Sequence, residues 1–464
     1  MNAERTKESR YQRIKKKISF STNLLFSGSI KTNAQQAIPF WIASLLVGLV
    51  AVGYTKLFGY AEELLQHTLH WHSWTIFFMA PACFFFAWLV VQRFAPNARG
   101  SGIPQVMAAI ELATPKHNGK ISKLLSLRIL VTKIASSLLM VLGGGAIGRE
   151  GPTIQIAGSI FTLVQRCTPK SWPKLSRQGF ILTGAAAGLA AAFNTPLGGI
   201  VFAVEELAKI HIRYFRTALF SAVIIAGLTA QALLGPYLYL GYPDVKGISF
   251  SMLGGVIATA IIAGVAGSIM CKYILKLMRW KRSFSKAKTI VFLLVAGLLT
   301  ASIAFFINDS IIGSGKELMN QTLFTSNKSV TWDTVLLRIF GPILSFNTGA
   351  AGGVFAPALA AGASVGSFIS GVFDMVGANA NILILAGMVG FLTGVTRTPF
   401  TSAILVLEMT DRHSVIFHLM IAALVSNIAA LLIDKHSFYE QLKHSYVQDA
   451  LEEKKTLTEV VSTE

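Results

Sequence analysis

Residues 184–206 read GAAAGLAAAFNTPLGGIVFAVEE and residues 387–409 read GMVGFLTGVTRTPFTSAILVLEM, a match without gaps at an offset of 203. Identities fall at Gly184/Gly387, Leu189/Leu392, Thr195/Thr398, Pro196/Pro399 and Glu205/Glu408. Chance likeness between apolar helices would supply the small residues, but it has no reason to supply the shared Thr-Pro and glutamate. Upstream of each copy, at nearly the same spacing, a glycine-rich run ends in a proline suited to the first turn of a helix: Gly148-Arg149-Glu150-Gly151-Pro152 and Gly352-Gly353-Val354-Phe355-Ala356-Pro357. The chain therefore reads as two related halves, residues 37–235 and 250–435. A basic segment, 1–36, precedes them, and a C-terminal segment, 436–464, follows. That last segment is expected to end in a short polar tail, mobile and cytoplasmic.

Composition sets the class. Of 464 residues, 53% are hydrophobic and 14% charged, which excludes an ordinary soluble domain and points to an all-α polytopic membrane protein. Apolar stretches lie near residues 37–60, 74–95, 122–142, 214–235, 250–279, 289–307, 335–346, 355–377, 380–396 and 414–433. Half-length pieces lie between them at 103–113, 152–165, 177–193, 196–207 and 398–410. Several are too short to cross ~30 Å of hydrocarbon as simple rods. Forty glycines and fourteen prolines interrupt them. Irregular backbone at membrane depth persists only where protein or a polar cavity surrounds it. Paired, interrupted segments at matching places in two halves are the sequence mark of a transporter's binding site.

The net charge of +19 does not form one basic face, so nucleic acid is not the expected partner. Arg5, Lys7, Arg10, Arg13, Lys15, Lys16, Lys17 and Lys31 crowd the amino terminus, and further basic loops lie at 116–133, 166–177, 209–216 and 272–288. The positive-inside rule assigns these to the cytoplasm and leaves 61–73, 236–250 and 307–334 outside. No small-residue cleavage signal follows the first long apolar stretch, so a cleaved signal peptide is not expected. Cys83, Cys167 and Cys271 lack metal-ligand spacing and read as packed thiols.

Glu150 is the residue most in need of an explanation. No acid lies between Glu111 and Glu150, and apolar sequence flanks it on both sides. An ionisable group at membrane depth costs roughly 2.5–3.5 kcal/mol even on lenient insertion scales, so it is a functional candidate by default. Three turns each open an apolar helix: Gly100-Ser101-Gly102-Ile103-Pro104, Gly148-Arg149-Glu150-Gly151-Pro152 and Gly353-Val354-Phe355-Ala356-Pro357. The first N–H groups of a helix have no intrahelical partner, and each N-terminus carries about half a positive charge. Three such ends converging would hold an anion without a full positive charge, and weak binding is what conduction requires. Candidate anion contacts are Ser101, Gly102 and Ile103 from the first turn, Arg149 and Gly151 from the second, and Val354 and Phe355 from the third.

Together GSGIP at 100–104, GREGP at 148–152, GGVFAP at 352–357 and the block at 184–206 resemble the CLC family of chloride channels and proton/chloride antiporters, from about residue 37 to 440. The resemblance implies a homodimer in the lipid bilayer with one pore per subunit, each formed between two inverted-topology repeats of tilted, broken helices. It implies chloride and protons as the transported ions, with no cofactor, no resident metal and no enzymatic activity. Ser101 matches the serine that donates to the central anion in chloride-selective members. The amides of Val354 and Phe355 match those holding the same ion, and Tyr439 resembles the tyrosine that closes the cytoplasmic side, although its flanking residues depart from the common pattern. Lys133 resembles a basic residue beneath the anion path. Glu150 matches the gating glutamate and external proton carrier, and Glu206 the internal proton carrier, a position usually non-acidic in pure channels. Gln105 and Met107 stand where many bacterial members carry acids. Without paired nucleotide-binding modules after the membrane region, the sequence resembles prokaryotic members, which implies the plasma or bacterial inner membrane.

The expected function is proton/chloride antiport, with a passive voltage- or pH-gated chloride channel as the alternative. Fluoride export is disfavoured by Ser101. Gly362-Ala363-Ser364-Val365-Gly366 fits the GxSxG pattern of a serine hydrolase, but it falls in a run of small residues where close helix packing explains it. His67, His70 and His72 have spacing that permits an external metal site; beside Trp71 and Trp74 they read instead as part of an interfacial aromatic belt.

Overall fold

The structure, a computed structural model, describes residues 28–169, 171–173, 176–207, 216–235 and 238–461. The basic residues from Arg5 to Lys17, and Lys209, His211 and Arg213, lie outside the described residues, as does the side chain of Lys31.

Among the described residues the fold is helical, with two isolated β-bridges. The first half contains α1 (Gly28–Trp71), α2 (Ile76–Phe94), α3 (Ile103–Glu111), α4 (Leu127–Leu142), α5 (Glu150–Cys167), α6 (Arg177–Phe193), α7 (Pro196–Phe202) and α8 (Arg216–Leu234). The second contains α9 (Leu253–Lys281), α10 (Lys286–Phe306), α11 (Lys316–Phe324), α12 (Trp332–Phe346), α13 (Phe355–Val372), α14 (Gly377–Thr396), α15 (Pro399–Thr410) and α16 (Ile416–Leu431), and α17 (Phe438–Val461) follows. The halves correspond helix by helix: α3 and α11 have 9 residues each, and α5 and α13 have 18 each.

Nine helical segments among the described residues are long and apolar enough to cross a membrane. The helices α3 and α11 are not, since nine residues at about 1.5 Å each reach only roughly 14 Å. The apolar windows of α13 and α14 are 83% and 89% buried, whereas those of α2 and α10 are 28% buried. The first pair is thus enclosed by protein, while the second presents its side chains to lipid.

The Thr-Pro breaks are built identically. Asn194 ends α6 with φ 57°, and Arg397, its partner in the repeat, ends α14 with φ 61°. Left-handed residues stop a helix by turning the chain out of its axis. Pro196 and Pro399 then open α7 and α15 from the first turn, where a missing N–H costs nothing. The repeated acids explain how the halves are joined. Glu205 accepts from the amides of Phe400 at 3.1 Å and Thr401 at 2.6 Å, capping α15. Glu408 accepts from the amides of Leu197 at 3.0 Å and Gly198 at 2.8 Å, capping α7. Each half thus neutralises the positive helix end of the other.

Glycines admit backbone contact between α13 and α14: a side chain at Gly362 would overlap the carbonyl of Gly387. Ser364, within that pair, donates to Ala361 O of its own helix at 2.7 Å and forms no strand-to-helix elbow. Helix packing accounts for this GxSxG.

The C-terminal segment differs from the expected polar tail. It forms α17, which packs against α3 and buries Phe438, Leu442, Tyr446 and Ala450 at intervals of one helical turn, with Tyr439 beside them. Its polar residues also reach inward: Lys443 pairs with Glu111 at 2.8 Å, and Asp449 with Arg99 at 2.8 Å. A four-residue apolar spacing within a polar sequence is the signal that marks this amphipathic helix.

Candidate anion and proton site

The loops ahead of α3, α5 and α13 are tied by backbone hydrogen bonds. Gly148 and Gly353 exchange N–H···O bonds of 2.8 and 2.9 Å, while Gly100 donates to Ala350 at 2.8 Å and receives from Gly352 at 3.1 Å. Glycine is required where these turns touch. Gly102 has φ 111°, and a Cβ there would stand 2.7 Å from Gly151 O. A Cβ on Gly151 would overlap Ser101 Oγ, and one on Gly353 would press on Pro152 Cδ at 3.2 Å and Gly151 N at 3.3 Å. Three helix N-termini, those of α3, α5 and α13, therefore meet at van der Waals range, and the sequence-predicted contacts Ser101, Gly102, Ile103, Gly151, Val354 and Phe355 are brought together there.

Ser101 Oγ and Tyr439 Oη are both buried, lie close enough to act on each other, and have no hydrogen-bond partner among the described residues. Two adjacent buried hydroxyl donors are the kind of groups that hydrogen-bond an anion. Tyr439 arrives from the first turn of α17 and is held by Phe438, which also packs on Phe346 with centroids 5.4 Å apart. Below the α3 turn, Lys133 is fully buried, donating to Ala98 O at 2.8 Å and Gly100 O at 2.7 Å. It thus holds the carbonyls that precede Ser101.

Glu150, the first residue of α5, is 1% exposed. Its Oε1 accepts from Tyr239 Oη at 3.3 Å, and its buried Oε2 presses against Gly148. Arg149 donates to Thr55 O on α1 at 3.3 Å. Tyr239, which the sequence reading passed over, comes from the linker between the halves. Its ring stands 4.9 Å edge-on to Phe193, and Lys316 Nζ lies 5.0 Å from the ring centroid. A lone tyrosine in a loop carries no pattern that could have revealed it.

Glu206 lies in the short π-helical turn after α7. It lines a separate cavity of about 190 Å³ with Met107, Glu111, Gln178 and Lys443. Tyr439 lies within electrostatic reach of both Glu150 and Glu206. Gln105 donates to Asn97 O at 3.2 Å and Arg99 O at 2.6 Å, so its amide ties down the loop ahead of α3. Elsewhere, His72 packs between Trp71 and Trp74, with ring centroids 5.8 and 6.0 Å away, and no group of three or more potential metal ligands occurs among the described residues.

The fold and site define a multi-pass membrane protein for anions. A family model described as voltage gated chloride channel matches residues 83–431, and the chain belongs to that family. Among solved structures it is similar to a slow cyanobacterial Cl⁻/H⁺ antiporter, with a TM-score of 0.77 and 24% identity, covering 89% of this chain and 98% of that one. A CLC-type fluoride/proton antiporter matches with a TM-score of 0.72 and 19% identity over 87% of this chain and 96% of that one. A eukaryotic CLC transporter matches with a TM-score of 0.69 and 20% identity over 88% and 74%. At these identities the likeness shows the fold alone. The family membership makes this an anion-transport protein and not an enzyme.

Proposed function

We propose that the chain exchanges chloride for protons across the membrane, with Glu150 as gate and external proton carrier and Glu206 as internal proton carrier. The observation that carries this reading is the placement of the buried Glu150 carboxylate against Gly148, where the loops ahead of α5 and α13 are joined, with Tyr439 within its electrostatic reach. An ionised Glu150 is a tethered anion that competes for the same positively polarised N–H groups as chloride. At ~4 Å and an effective dielectric of 20 their repulsion is about 4 kcal/mol, so an arriving chloride favours protonation and release of the side chain. Anion and proton movements are thereby linked in opposite directions.

Glu206, an acid in its own cavity, favours antiport over a passive channel. Ser101 favours chloride over fluoride, and Lys133, Val354 and Phe355 complete the anion path. The unit is a homodimer. The surface of α7, α8, α15 and α16 is apolar, with Leu197, Leu228, Phe400 and Ile428 exposed, yet it contains Glu205 and Glu408 as helix caps. Carboxylates are costly against lipid and are better covered by a second copy. We assign the two halves to residues 37–235 and 250–435, and the protein to a plasma or bacterial inner membrane.

Liposomes with opposed chloride and pH gradients test the reading. Wild-type protein should drive protons uphill on a chloride gradient, and Glu150→Gln and Glu206→Gln should each pass chloride without protons. Wild-type chloride flux with no proton movement would make the protein a channel.

A further inference from the structure

The serine turn that opens α3 has a counterpart in the second half. Gly100-Ser101-Gly102 recurs as Gly313-Ser314-Gly315, and the two turns lead into α3 and α11, nine residues each. Both glycine pairs take left-handed backbone, with φ 64° and 111° at Gly100 and Gly102 and φ 71° and 85° at Gly313 and Gly315. Each turn also rests on one buried cation. Lys133 donates to Gly100 O at 2.7 Å, and Arg338 donates to Gly313 O at 3.2 Å. The two cations hold matching places in the repeat: Lys133 lies seventeen residues before Glu150, which starts α5, and Arg338 seventeen before Phe355, which starts α13. We infer that the Gly313–Lys316 turn is a second anion site, built like the Ser101 turn, which the Glu62 carboxylate occupies here and a halide takes when that carboxylate leaves.

Two observations besides the helix end point to an anion. Glu62 arrives from α1, and its Oε1 accepts from the Ser314 amide at 3.3 Å and the Ser314 hydroxyl at 2.7 Å. A carboxylate held by the first N–H groups of a helix is a tethered anion in the place a free one would take. Arg338 is 6% exposed, and its guanidinium lies against the turn, where a Cβ on Gly315 would stand 3.0 Å from Nη1. Its Nε is buried with no hydrogen-bond partner among the described residues, so a full charge and an unused donor face this turn. Lys316, the first residue of α11, adds a second charge within electrostatic reach of Glu62.

The two turns serve opposite faces of the membrane. The helix α3 leads toward the basic stretch at 116–133, and α11 lies within 307–334, which the positive-inside rule leaves outside. Ser314 and Arg338 are both buried, which favours a small monovalent ion over a larger oxyanion. The charge of Glu62 also reaches Glu150, so the occupant of the outer turn acts on the gate. That link rests on the antiport reading, whereas binding at the turn does not.

The test is crystallography of the full chain soaked in bromide, with anomalous scattering locating the ion. Glu62→Ala removes the tethered carboxylate and should show bromide within hydrogen-bond range of Ser314 Oγ, at a place where wild type shows the carboxylate. Glu62→Gln keeps the side chain's shape and loses its charge. It should show the same peak at lower occupancy, and it keeps the test open if the alanine variant folds poorly. Adding Ser314→Ala to either variant should abolish this peak and leave bromide at the Ser101 turn in place. Absence of bromide from the Ser314 turn in the folded Glu62 variants would overturn the inference, as would a peak that persists without the Ser314 hydroxyl. Bromide at the Ser314 turn with none at the Ser101 turn would sink the proposed transport site and leave this one standing.

Discussion

The hydroxyl of Tyr239 donates to Oε1 of Glu150 across 3.3 Å, so the linker between the halves holds the carboxylate at the meeting of three helix ends. A hydrogen bond to a charged acceptor contributes about 1.5–3 kcal/mol, and the long distance argues for the lower end of that range. Tyr239→Phe keeps the ring against Phe193 and leaves the surrounding charges of Arg149, Lys316 and Glu62 in place. If protonation of Glu150 opens the path, losing this donor makes protonation easier. The pH at which liposome anion flux is half-maximal should then rise by about one unit. An unchanged profile would show that this contact has no part in gating.

The crossed caps predict a stability effect rather than a transport effect. Glu205→Ala removes acceptors from the amides of Phe400 and Thr401 and from the Thr401 hydroxyl, and Glu408→Ala removes them from those of Leu197 and Gly198. Loss of an N-cap costs about 0.5–2 kcal/mol, so each variant should unfold at a lower temperature in detergent. Substitution by Gln keeps an acceptor but removes the charge and should give an intermediate value. A melting temperature equal to wild type in the Ala variants would contradict the assigned role.

Gly151 and Gly53 make a matched pair for testing convergence. A methyl at Gly151 would overlap Ser101 Oγ, whereas one at Gly53 would meet nothing within 4 Å. Gly151→Ala should therefore suppress anion flux strongly and weaken anion binding by calorimetry, while Gly53→Ala behaves as wild type. Comparable flux from the two variants would mean that the turns stand further apart than described.

Lys133→Met should be costly in two ways. The thioether fills much of the space but leaves the carbonyl of Ala98 without its donor, at about 1–3 kcal/mol, and leaves Gly100 O with only the amide of Gly352 at 3.1 Å. We expect a lower melting temperature together with weaker anion binding, because the turn that carries Ser101 loses its support. Normal anion affinity in a folded variant would assign this lysine to structure alone.

Much of the architecture is legible in residues 184–206 and 387–409, because helix breaks are local events: a left-handed residue and Thr-Pro interrupt any apolar helix wherever it lies. The three Gly-Pro turns, on which Ser101, Glu150, Val354 and Phe355 lie, are legible for the same reason. Tyr239 was not, since its role depends on where a linker of irregular sequence passes. The helix at Phe438–Val461 was missed because its apolar residues are few and spaced one turn apart within a polar segment.

The sequence by itself determined a helical membrane protein of two repeated halves, with helix ends at GSGIP, GREGP and GGVFAP, because hydropathy and backbone restrictions act over a few residues. Only the tertiary structure decided that those three ends touch, that Glu205 and Glu408 cap each other's halves, and that Ser101 and Tyr439 face one another from opposite ends of the chain. These are contacts between residues up to several hundred positions apart, fixed by how whole helices pack, and no local pattern encodes them.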